Sequence, residues 1–501
     1  MDQNDSIAEE IARIQKLLGS RLMNMVEERV IPLMEAHPDR PDVARLHAEC
    51  LMEWGDHRQA AIILEKQRES FPDEPQLLKG LINCYASLAL TDELVETSGQ
   101  LLKMGPNRPD AMGPCVDALE RAGQYDAAEE MLERLEALPP AILGAMPKVR
   151  IPYLKARILM GRKKPEEASR VLSDTVKKMD PDSLSDSDQK QYHECLFLLS
   201  KSLDKIKDYD GAWKAAEMAH ANEGSPFNVE GYEKTLENMR RVFSPEMASK
   251  LARADAVESE PLIILGNPRS GTTLLDTILG MHSEVAQGGE LSAGRFVQQA
   301  LSRLTDSYLP FPMSLADLRV EDANALGRIY EECTAGLANG QRYLSNKALS
   351  MHIQLGMLTL ALPRMRVINL HRHPLDNCVS CYLMNLLVSG HNYTNDLEWL
   401  GRTWVARRKM QEYWPTVLDV PILELHYEDM VGDQENQTRR ILDFLDVPFD
   451  DACLNFHEAE KTAATLSYDQ VSQKMYTTSR GRWRHYEKHL GPLIDIVQPY
   501  L

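Results

Sequence analysis

A glycine-rich segment near the middle of the chain has the residue types and spacing of a phosphate-binding loop. It begins at Gly266, directly after the apolar run PLIILG, and ends at Gly271-Thr272-Thr273, where the helical pattern LLDTILG starts. A strand, a glycine loop and a helix in this order direct backbone N–H groups and the positive end of the helix at one anion. The spacing matches the nucleotide-binding pattern G-x-x-x-x-G-K-[ST], but Thr272 occupies the lysine position and the cation, Arg269, lies inside the loop. The segment therefore predicts a phosphate site and disfavours ATP or GTP hydrolysis and a nucleotide kinase.

A second polar cluster follows another short apolar run, in the segment INLHRHPLDNCVSCY. Arg372 and Ser380 are eight positions apart in this segment. A guanidinium at the end of a strand and a hydroxyl about two helical turns later can converge on one phosphate. The segment therefore predicts a second phosphate site, again directly after a strand.

The two motifs, in this order, resemble those of the sulfotransferase superfamily. In that family the loop P-[KR]-S-G-T-T binds the 5′-phosphosulfate of PAPS (3′-phosphoadenosine 5′-phosphosulfate), and the second motif binds its 3′-phosphate. The loop of this chain is PRSGTT at 268–273. The resemblance implies that PAPS is bound by Arg269, Ser270, Gly271, Thr272, Thr273, Arg372 and Ser380. It also implies a reaction that needs no metal ion.

Residues 261–501 further resemble the tyrosylprotein sulfotransferases. The similarity rests on the arginine of the loop, on Gly-Glu and Asn-Lys pairs, and on the segments YEDM, SYDQV and RW. It implies that Glu290 and Lys347 are catalytic. It also implies that the donor site includes Tyr427, Ser467 and Arg482.

The implied chemistry assigns a role to each charged residue. An acceptor hydroxyl attacks sulfur in line, and negative charge grows on the bridging oxygen that leaves with the phosphate. Arg269 and Lys347, with the loop amides and Thr272, are the candidates to stabilise that charge. Glu290 is the candidate general base that accepts the hydroxyl proton. Three histidines stay open as alternative bases: His282, His371 and His373.

The first half of the chain has a regular period. Prolines recur every 34 residues, at Pro38, Pro72, Pro106 and Pro140. Small residues keep the same register, at Gly55, Ala89 and Gly123, and the pattern resumes after an insertion with Gly161 and Ala168. This pattern resembles tetratricopeptide repeats, in which two antiparallel helices form each unit and a proline ends the second helix. Residues 1–220 are therefore predicted to form an α-helical superhelix.

The second half changes its pattern after a predicted helical linker at 221–260. Short apolar runs, PLIILG, MRVINL and ILEL, alternate there with helical stretches such as 351–361 and 398–413. Buried apolar strands that alternate with helices favour a parallel sheet covered on both faces. The sequence thus predicts an α/β domain with a phosphate loop and a central parallel sheet over 261–501.

The composition limits the classes of partner and the location. The chain has 501 residues, 56 of them Lys or Arg against 75 Asp or Glu, with a net charge of −19. This charge disfavours a general nucleic-acid binder. The start has no secretory pattern and no run reaches about 18 apolar residues, so we expect a cytoplasmic protein without a membrane span. The close pair Cys378 and Cys381 is interpreted as buried reduced thiols rather than as a metal or redox site.

These features predict a PAPS-dependent, metal-independent sulfotransferase of a bacterial type that transfers a sulfuryl group to an acceptor hydroxyl. Protein tyrosine is one candidate acceptor, and the repeats are expected to present the acceptor or a partner protein. Two alternatives stay open. One is a non-catalytic repeat scaffold whose second domain binds PAPS or its desulfated product, PAP. The other is a sulfotransferase for small molecules, glycans or lipids. The oligomeric state is not determined by the sequence.

Overall fold

The computed structural model describes residues 3–19, 23–38, 40–53, 55–88, 90–105, 107–144, 146–221, 226–386, 391–458 and 479–501. By its internal contacts the chain divides into two compact units, Met1–Ser202 and Leu203–Leu501. The predicted domain limits at 220 and 260 stay predictions. Within the described ranges, no helix has both the length and the apolar character that a membrane crossing requires.

The first unit is built from helices. They are α1 (Gln3–Gly19), α2 (Met23–Ala36), α3 (Pro41–Glu53), α4 (His57–Ser70), α5 (Pro75–Leu88), α6 (Thr91–Met104), α7 (Pro109–Arg121), α8 (Tyr125–Glu136), α9 (Pro140–Leu143), α10 (Arg150–Gly161) and α11 (Pro165–Val176). A 3₁₀ turn at Pro181–Ser183 leads into α12 (Asp186–Lys205), which ends in the second unit.

The predicted period is present in the helix starts. Helices α3, α5 and α7 begin at 41, 75 and 109, and their partners α4, α6 and α8 begin at 57, 91 and 125, so each set repeats every 34 residues. Pro38 and Pro72 lie just before α3 and α5, where a proline ends the preceding helix. Pro106 and Ala89 lie outside the described residues. The prediction of a helical repeat region is confirmed.

One position in the repeat register differs from the sequence interpretation. Gly123, between α7 and α8, has a φ of 71°, and the equivalent turn between α10 and α11 has Lys163 at a φ of 61°. The sequence matched Gly161 to this turn, but Gly161 is the last residue of α10. A Cβ at Gly161 would lie 2.3 Å from Cε1 of Tyr125. This glycine is therefore required by the close packing of α10 on the start of α8 and not by the turn.

The described residues of the second unit form five strands and the helices around them. The strands are β1 (Leu262–Gly266), β2 (Val285–Ala286), β3 (Tyr343–Asn346), β4 (Arg366–His371) and β5 (Ile422–His426). The helices are α13 (Tyr209–Ala221), α14 (Val229–Val242), α15 (Pro245–Ala248), α16 (Thr272–Leu279), α17 (Ala293–Thr305), α18 (Val320–Thr334), α19 (Met351–Ala361), α20 (Pro374–Tyr382), α21 (Leu397–Val417), α22 (Tyr427–Gly432), α23 (Gln434–Leu445) and α24 (Gly491–Val497). Short 3₁₀ segments lie at Met313–Asp317, Asn392–Asn395, Asp451–Glu458, Arg482–His489 and Gln498–Tyr500.

The sheet confirms the predicted α/β architecture. Its strand order is β2-β3-β1-β4-β5, and all neighbours are parallel. The three predicted apolar runs correspond to β1, β4 and β5. The chain moves to one side of β1 for β2 and β3 and to the other side for β4 and β5, so β1 lies at the switch point. In such sheets ligands bind at the carboxyl ends of the strands beside the switch point.

The two faces of the sheet pack in separate hydrophobic clusters. Ile263, Leu265 and Val367 lie in one cluster with α17, α18 and α19, and Leu262 and Ile264 lie in the other with α16 and α23. The alternation follows from the period of two along a strand. Burial on both faces holds the strand ends, and therefore the loops that leave them, in a fixed arrangement.

The segment predicted as a linker also contributes to this packing. Helix α14 adds buried residues, among them Leu236 and Met239, to the cluster that contains Ile263. The next helix in this segment, α15, ends at Ala248. Helix α13 places Trp213 in a third cluster with α20 and α24.

Candidate active site

The loop between β1 and α16 has the backbone of an anion site. Arg269 and Gly271 have positive φ angles of 64° and 101°, and left-handed residues before a helix are typical of loops that gather amide N–H groups on one anion. A Cβ at Gly271 would lie 2.5 Å from Cδ2 of Tyr427, so this position requires glycine. The Ser270 side chain is 1% exposed, and its Oγ has no hydrogen-bond partner among the described residues. An anion in the loop fits this buried hydroxyl.

Helix α20 is hydrogen-bonded to the backbone of the loop between β1 and α16. Asn377 Nδ2 and Cys381 Sγ donate to the carbonyl of Pro268, at 2.8 and 3.3 Å. Burial raises the pKa of Cys381 to about 11, so the thiol stays protonated and can donate. Cys378 is also buried and reduced. The cysteine pair therefore supports the loop, which the sequence did not indicate.

The predicted phosphate ligands of the two motifs lie together. Arg269 Nε donates to Ser380 Oγ at 3.2 Å, and Arg372 Nη1 donates to the carbonyl of Arg269 at 2.5 Å. The Arg372 guanidinium also lies 4.7 Å from the centre of the Tyr427 ring. Its Nη2 donates to the carbonyl of Ser479, and its buried Nε has no partner in the described part of the chain. The Arg372 charge thus has a donor left for an anion.

The predicted catalytic pair is formed at the neighbouring strands. Lys347 Nζ donates to Glu290 Oε1 at 2.7 Å. The Lys347 side chain is 2% exposed and that of Glu290 is 44% exposed. The Lys347 amide donates to the carbonyl of Gly289 at 2.8 Å, which ties the end of β3 to the turn after β2. The buried ammonium is therefore fixed in place, while the carboxylate is open to a substrate.

Two of the alternative bases have both ring nitrogens engaged. His371 is hydrogen-bonded to Glu424 through Nε2 and to Arg408 through Nδ1, and burial lowers the pKa of His371. His282 Nε2 contacts the carbonyl of Pro448 at 2.8 Å, and its Nδ1 accepts a backbone N–H at 3.0 Å. Neither ring has a free nitrogen for a substrate proton. Both histidines support structure in this arrangement.

His373 is placed differently from the other two. Its backbone N–H donates to Glu428 Oε1 at 2.9 Å, and its ring is stacked on Trp483 with centroids 5.9 Å apart. Its Nδ1 is buried and has no partner among the described atoms. His373 therefore stays as the alternative to Glu290.

One of the predicted donor ligands pairs with a residue outside this cluster. The guanidinium of Arg482 pairs with Asp204 at 2.8 Å, so its role at a 3′-phosphate stays a prediction. Ser467 lies outside the described residues. The pairing of Arg482 depends on a residue 278 positions away in sequence, and no local pattern indicates it.

Asp376 has a role that the sequence analysis did not assign. Its carboxylate accepts the backbone N–H groups of Gly481 and Trp483, at 2.6 and 3.0 Å. It thereby attaches the segment around 480 to the start of α20, next to Arg372. The sequence could have indicated a role for Asp376, because this residue lies inside the second motif.

Known proteins are similar to this chain over parts of its length. Residues 261–451 match the model of the sulfotransferase family, so this part of the chain is a sulfotransferase-family domain. Among curated proteins, an uncharacterized protein of Aquifex aeolicus (strain VF5) is 26% identical over 479 residues, which are 94% of this chain and 56% of that protein. Protein-tyrosine sulfotransferase 1 of Danio rerio is 26% identical over 221 residues, 42% of this chain and 61% of that enzyme. The matches thus span somewhat more than half the length of these relatives.

Solved structures are similar to each part of the chain. The sulfotransferase domain of the Synechococcus PCC 7002 olefin synthase is 24% identical and covers 47% of this chain and 90% of its own, with a TM-score of 0.35. A tetratricopeptide repeat protein from Parabacteroides merdae ATCC 43184 is 15% identical and covers 49% of this chain and 90% of its own, also with a TM-score of 0.35.

Proposed function

We propose that this chain, whose residues 261–451 are a sulfotransferase-family domain, is a PAPS-dependent sulfotransferase. One observation carries the proposal: two different charge arrangements lie at the carboxyl ends of adjacent strands. The Arg269, Arg372 and Ser380 cluster lies after β1 and β4, and the Lys347–Glu290 pair lies after β3 and β2. The first arrangement suits an anionic donor, and the second suits removal of a proton from an acceptor.

The donor site is built for two phosphate groups. The loop amides, Thr272 and Thr273 lie at the start of α16 and would hold the 5′-phosphate. Arg372 and Ser380 would hold the 3′-phosphate through charge-assisted hydrogen bonds. PAPS, when bound, supplies a sulfuryl group attached to a phosphate leaving group.

The residues of the second arrangement would act on the acceptor. Glu290, which is half exposed, accepts the proton of the attacking hydroxyl on a carboxylate oxygen. Lys347 and Arg269 place positive charge where negative charge develops on the leaving oxygen, and preorganised charges of this kind are effective in a site that excludes water. No residue of this scheme needs a metal ion.

For the acceptor we propose a phenolic hydroxyl, with protein tyrosine as the first candidate. The support is the similarity to proteins described as protein-tyrosine sulfotransferases, over 42–44% of this chain. Transfer of radiolabelled sulfate from PAPS to a panel of tyrosine peptides, simple phenols, glycans and lipids tests this. We expect label on the peptides or phenols. Label on glycans or lipids alone would contradict the phenolic acceptor, and binding of PAP without any transfer would contradict the enzyme.

We also propose that the repeats, predicted over 1–220, present the acceptor or a partner and add nothing to donor binding. The support is the run of regularly paired helices, an architecture that binds extended peptides. A chain that starts at Asp186 keeps Trp213, which packs in the core of the second unit. Calorimetry with PAP should give the same affinity for this chain and the full chain, while acceptor selectivity is lost. Unchanged selectivity would contradict the proposal.

A further inference from the structure

A completely buried carboxylate lies behind the candidate catalytic pair. Asp276 is on α16, one turn after the phosphate loop, and its side chain is 0% exposed. Since a buried carboxylate is costly unless charges and hydrogen bonds compensate it, such a residue requires a partner or a function. Because no substrate can reach it, any function must act through its neighbours.

Its hydrogen bonds lead to the turn that carries Glu290. The hydroxyl of Ser345 donates to Asp276 Oδ1, and the same Oγ accepts the backbone N–H of Gly288 at 3.0 Å. A Cβ at Gly288 would lie 2.0 Å from the carbonyl oxygen of Ser345, so the turn is in direct contact with β3. Asp276 is therefore connected through one hydroxyl to the backbone two residues before Glu290.

Its charge interacts with the same pair. Burial raises the pKa of Asp276, while the Lys347 ammonium, the Ser345 hydroxyl and the Gln287 amide act in the opposite direction, and the Glu290 charge adds to the increase. Its Oδ2 has no hydrogen-bond partner among the described residues. Lys347 thus interacts with two carboxylates: in contact with Glu290, and at longer range with Asp276.

The carboxylate of Asp276 affects the environment of Lys347 when Glu290 is protonated. In the proposed function Glu290 takes up the acceptor's proton and becomes neutral. Lys347, which is 2% exposed, would then lose its contacting counter-charge inside the protein, and an unpaired buried ammonium is strongly disfavoured. Asp276, when it is ionised, places a second negative charge near Lys347 at that stage.

We propose that Asp276 is a positioning residue that acts through Ser345 and Lys347. It holds the turn of Glu290 against β3 and maintains the charge and direction of Lys347 during the reaction. This inference rests on the proposed function, but the role of Asp276 in holding the turn also applies to the protein without substrate. The Asp276–Ser345 bond helps to hold the turn Gly288–Leu291 against β3, together with the bond from the Lys347 amide to the Gly289 carbonyl.

Kinetics of Asp276→Asn test the inference, because asparagine keeps the shape and removes the charge. With a phenolic acceptor of the panel, we expect kcat to fall about 10- to 100-fold while PAP affinity stays within about threefold. In the Glu290→Gln background the same substitution should cost less than about threefold, because glutamine takes up no proton and Asp276 has no proton transfer left to support. A purely structural role predicts weaker PAP binding and an equal loss in both backgrounds, and either result would overturn the inference.

Hydrogen exchange gives a readout that needs no turnover. The amides of 288–291 should exchange about tenfold faster in Asp276→Asn and in Ser345→Ala than in the wild-type chain. Thr359→Ala is the matched control, since Thr359 is also buried but bonds within its own helix, α19. If Asp276→Asn does not fold, Ser345→Ala takes its place. Unchanged exchange overturns the inference, whereas faster exchange in a chain without any transferase activity would contradict only the proposed function.

Discussion

The charged residues on the two sides of β1 have different kinds of partner. On the β4 side, Arg269 and Arg372 lie next to a hydroxyl and to backbone carbonyls. On the β3 side, Lys347 contacts one carboxylate, Glu290, and lies near a second, Asp276. Arg372 Nε has no partner among the described residues, which suits a ligand site, whereas the charge of Lys347 is balanced inside the protein. Under the proposed function, Arg372 and Ser380 serve donor binding and Glu290 serves proton removal.

This separation predicts that substitutions on the two sides have different kinetic effects. Changes on the β4 side should alter affinity for the donor and its product. Changes on the β3 side should alter turnover at saturation. The following substitutions are ordered by the size of the expected effect.

Glu290→Gln should have the largest effect. The amide keeps the shape and can still accept from Lys347, but it cannot take up a proton, so kcat should fall about 10²- to 10⁴-fold. PAP affinity by calorimetry should stay within a few-fold. Glu246→Gln is the control, because Glu246 is an exposed glutamate on α15. Retained turnover would transfer the role to His373 or to the acceptor's own ionisation.

Arg372→Ala should weaken the donor site next. Loss of a charge-assisted hydrogen bond costs about 1.5–3 kcal/mol, or roughly 10- to 100-fold in PAP affinity. Adenosine 5′-phosphosulfate lacks the 3′-phosphate, so its binding should change far less. Arg439→Ala, which removes an exposed pair with Glu435 and a contact with the Phe449 ring, serves as the control. An equal loss for the two ligands would show that Arg372 does not hold the 3′-phosphate.

Asp376→Asn should have the smallest effect of the three. The amides of Gly481 and Trp483 donate to different oxygens of Asp376, and asparagine keeps one acceptor oxygen, so one of the two amides loses its partner and the carboxylate charge is lost as well. We expect PAP affinity to fall about two- to fivefold and kcat to change less than twofold, because the residue positions the segment beside Arg372. A loss of kcat at unchanged affinity would show that Asp376 contributes to catalysis, and it would contradict the claim that residues on the β4 side affect only donor binding.

The parts of the site that could be predicted are those that depend on local sequence. The loop at 266–273 needs glycine at a left-handed position before a helix, and Gly271 provides it. The strand β1 is a continuous apolar run that is buried throughout, and β4 and β5 each contain a shorter apolar run. The repeat period was visible because the same packing recurs every 34 residues.

The other parts depend on contacts between distant residues. Glu290 and Lys347 were assigned only through a family resemblance, and their contact joins residues 57 positions apart. The buried Asp276 and Ser345 looked like ordinary helix and strand residues, and β2, with only two residues, has no detectable pattern. Arg482 was assigned to the donor site through the family resemblance; its pair with Asp204 is a tertiary contact that no local pattern indicates, and its role at the phosphate stays a prediction.

Single-turnover sulfuryl transfer over a range of PAPS concentrations tests the division between the two sides most directly. Enzyme in excess over labelled acceptor gives a rate constant at saturating PAPS and the concentration that half-saturates it. The account predicts that Arg372→Ala raises the half-saturating concentration and reaches a rate constant within a few-fold of the wild-type value. Glu290→Gln should do the reverse, with an unchanged half-saturating concentration and a rate constant lower by about 10²-fold or more. An equal loss of the saturating rate constant in both variants would contradict the account.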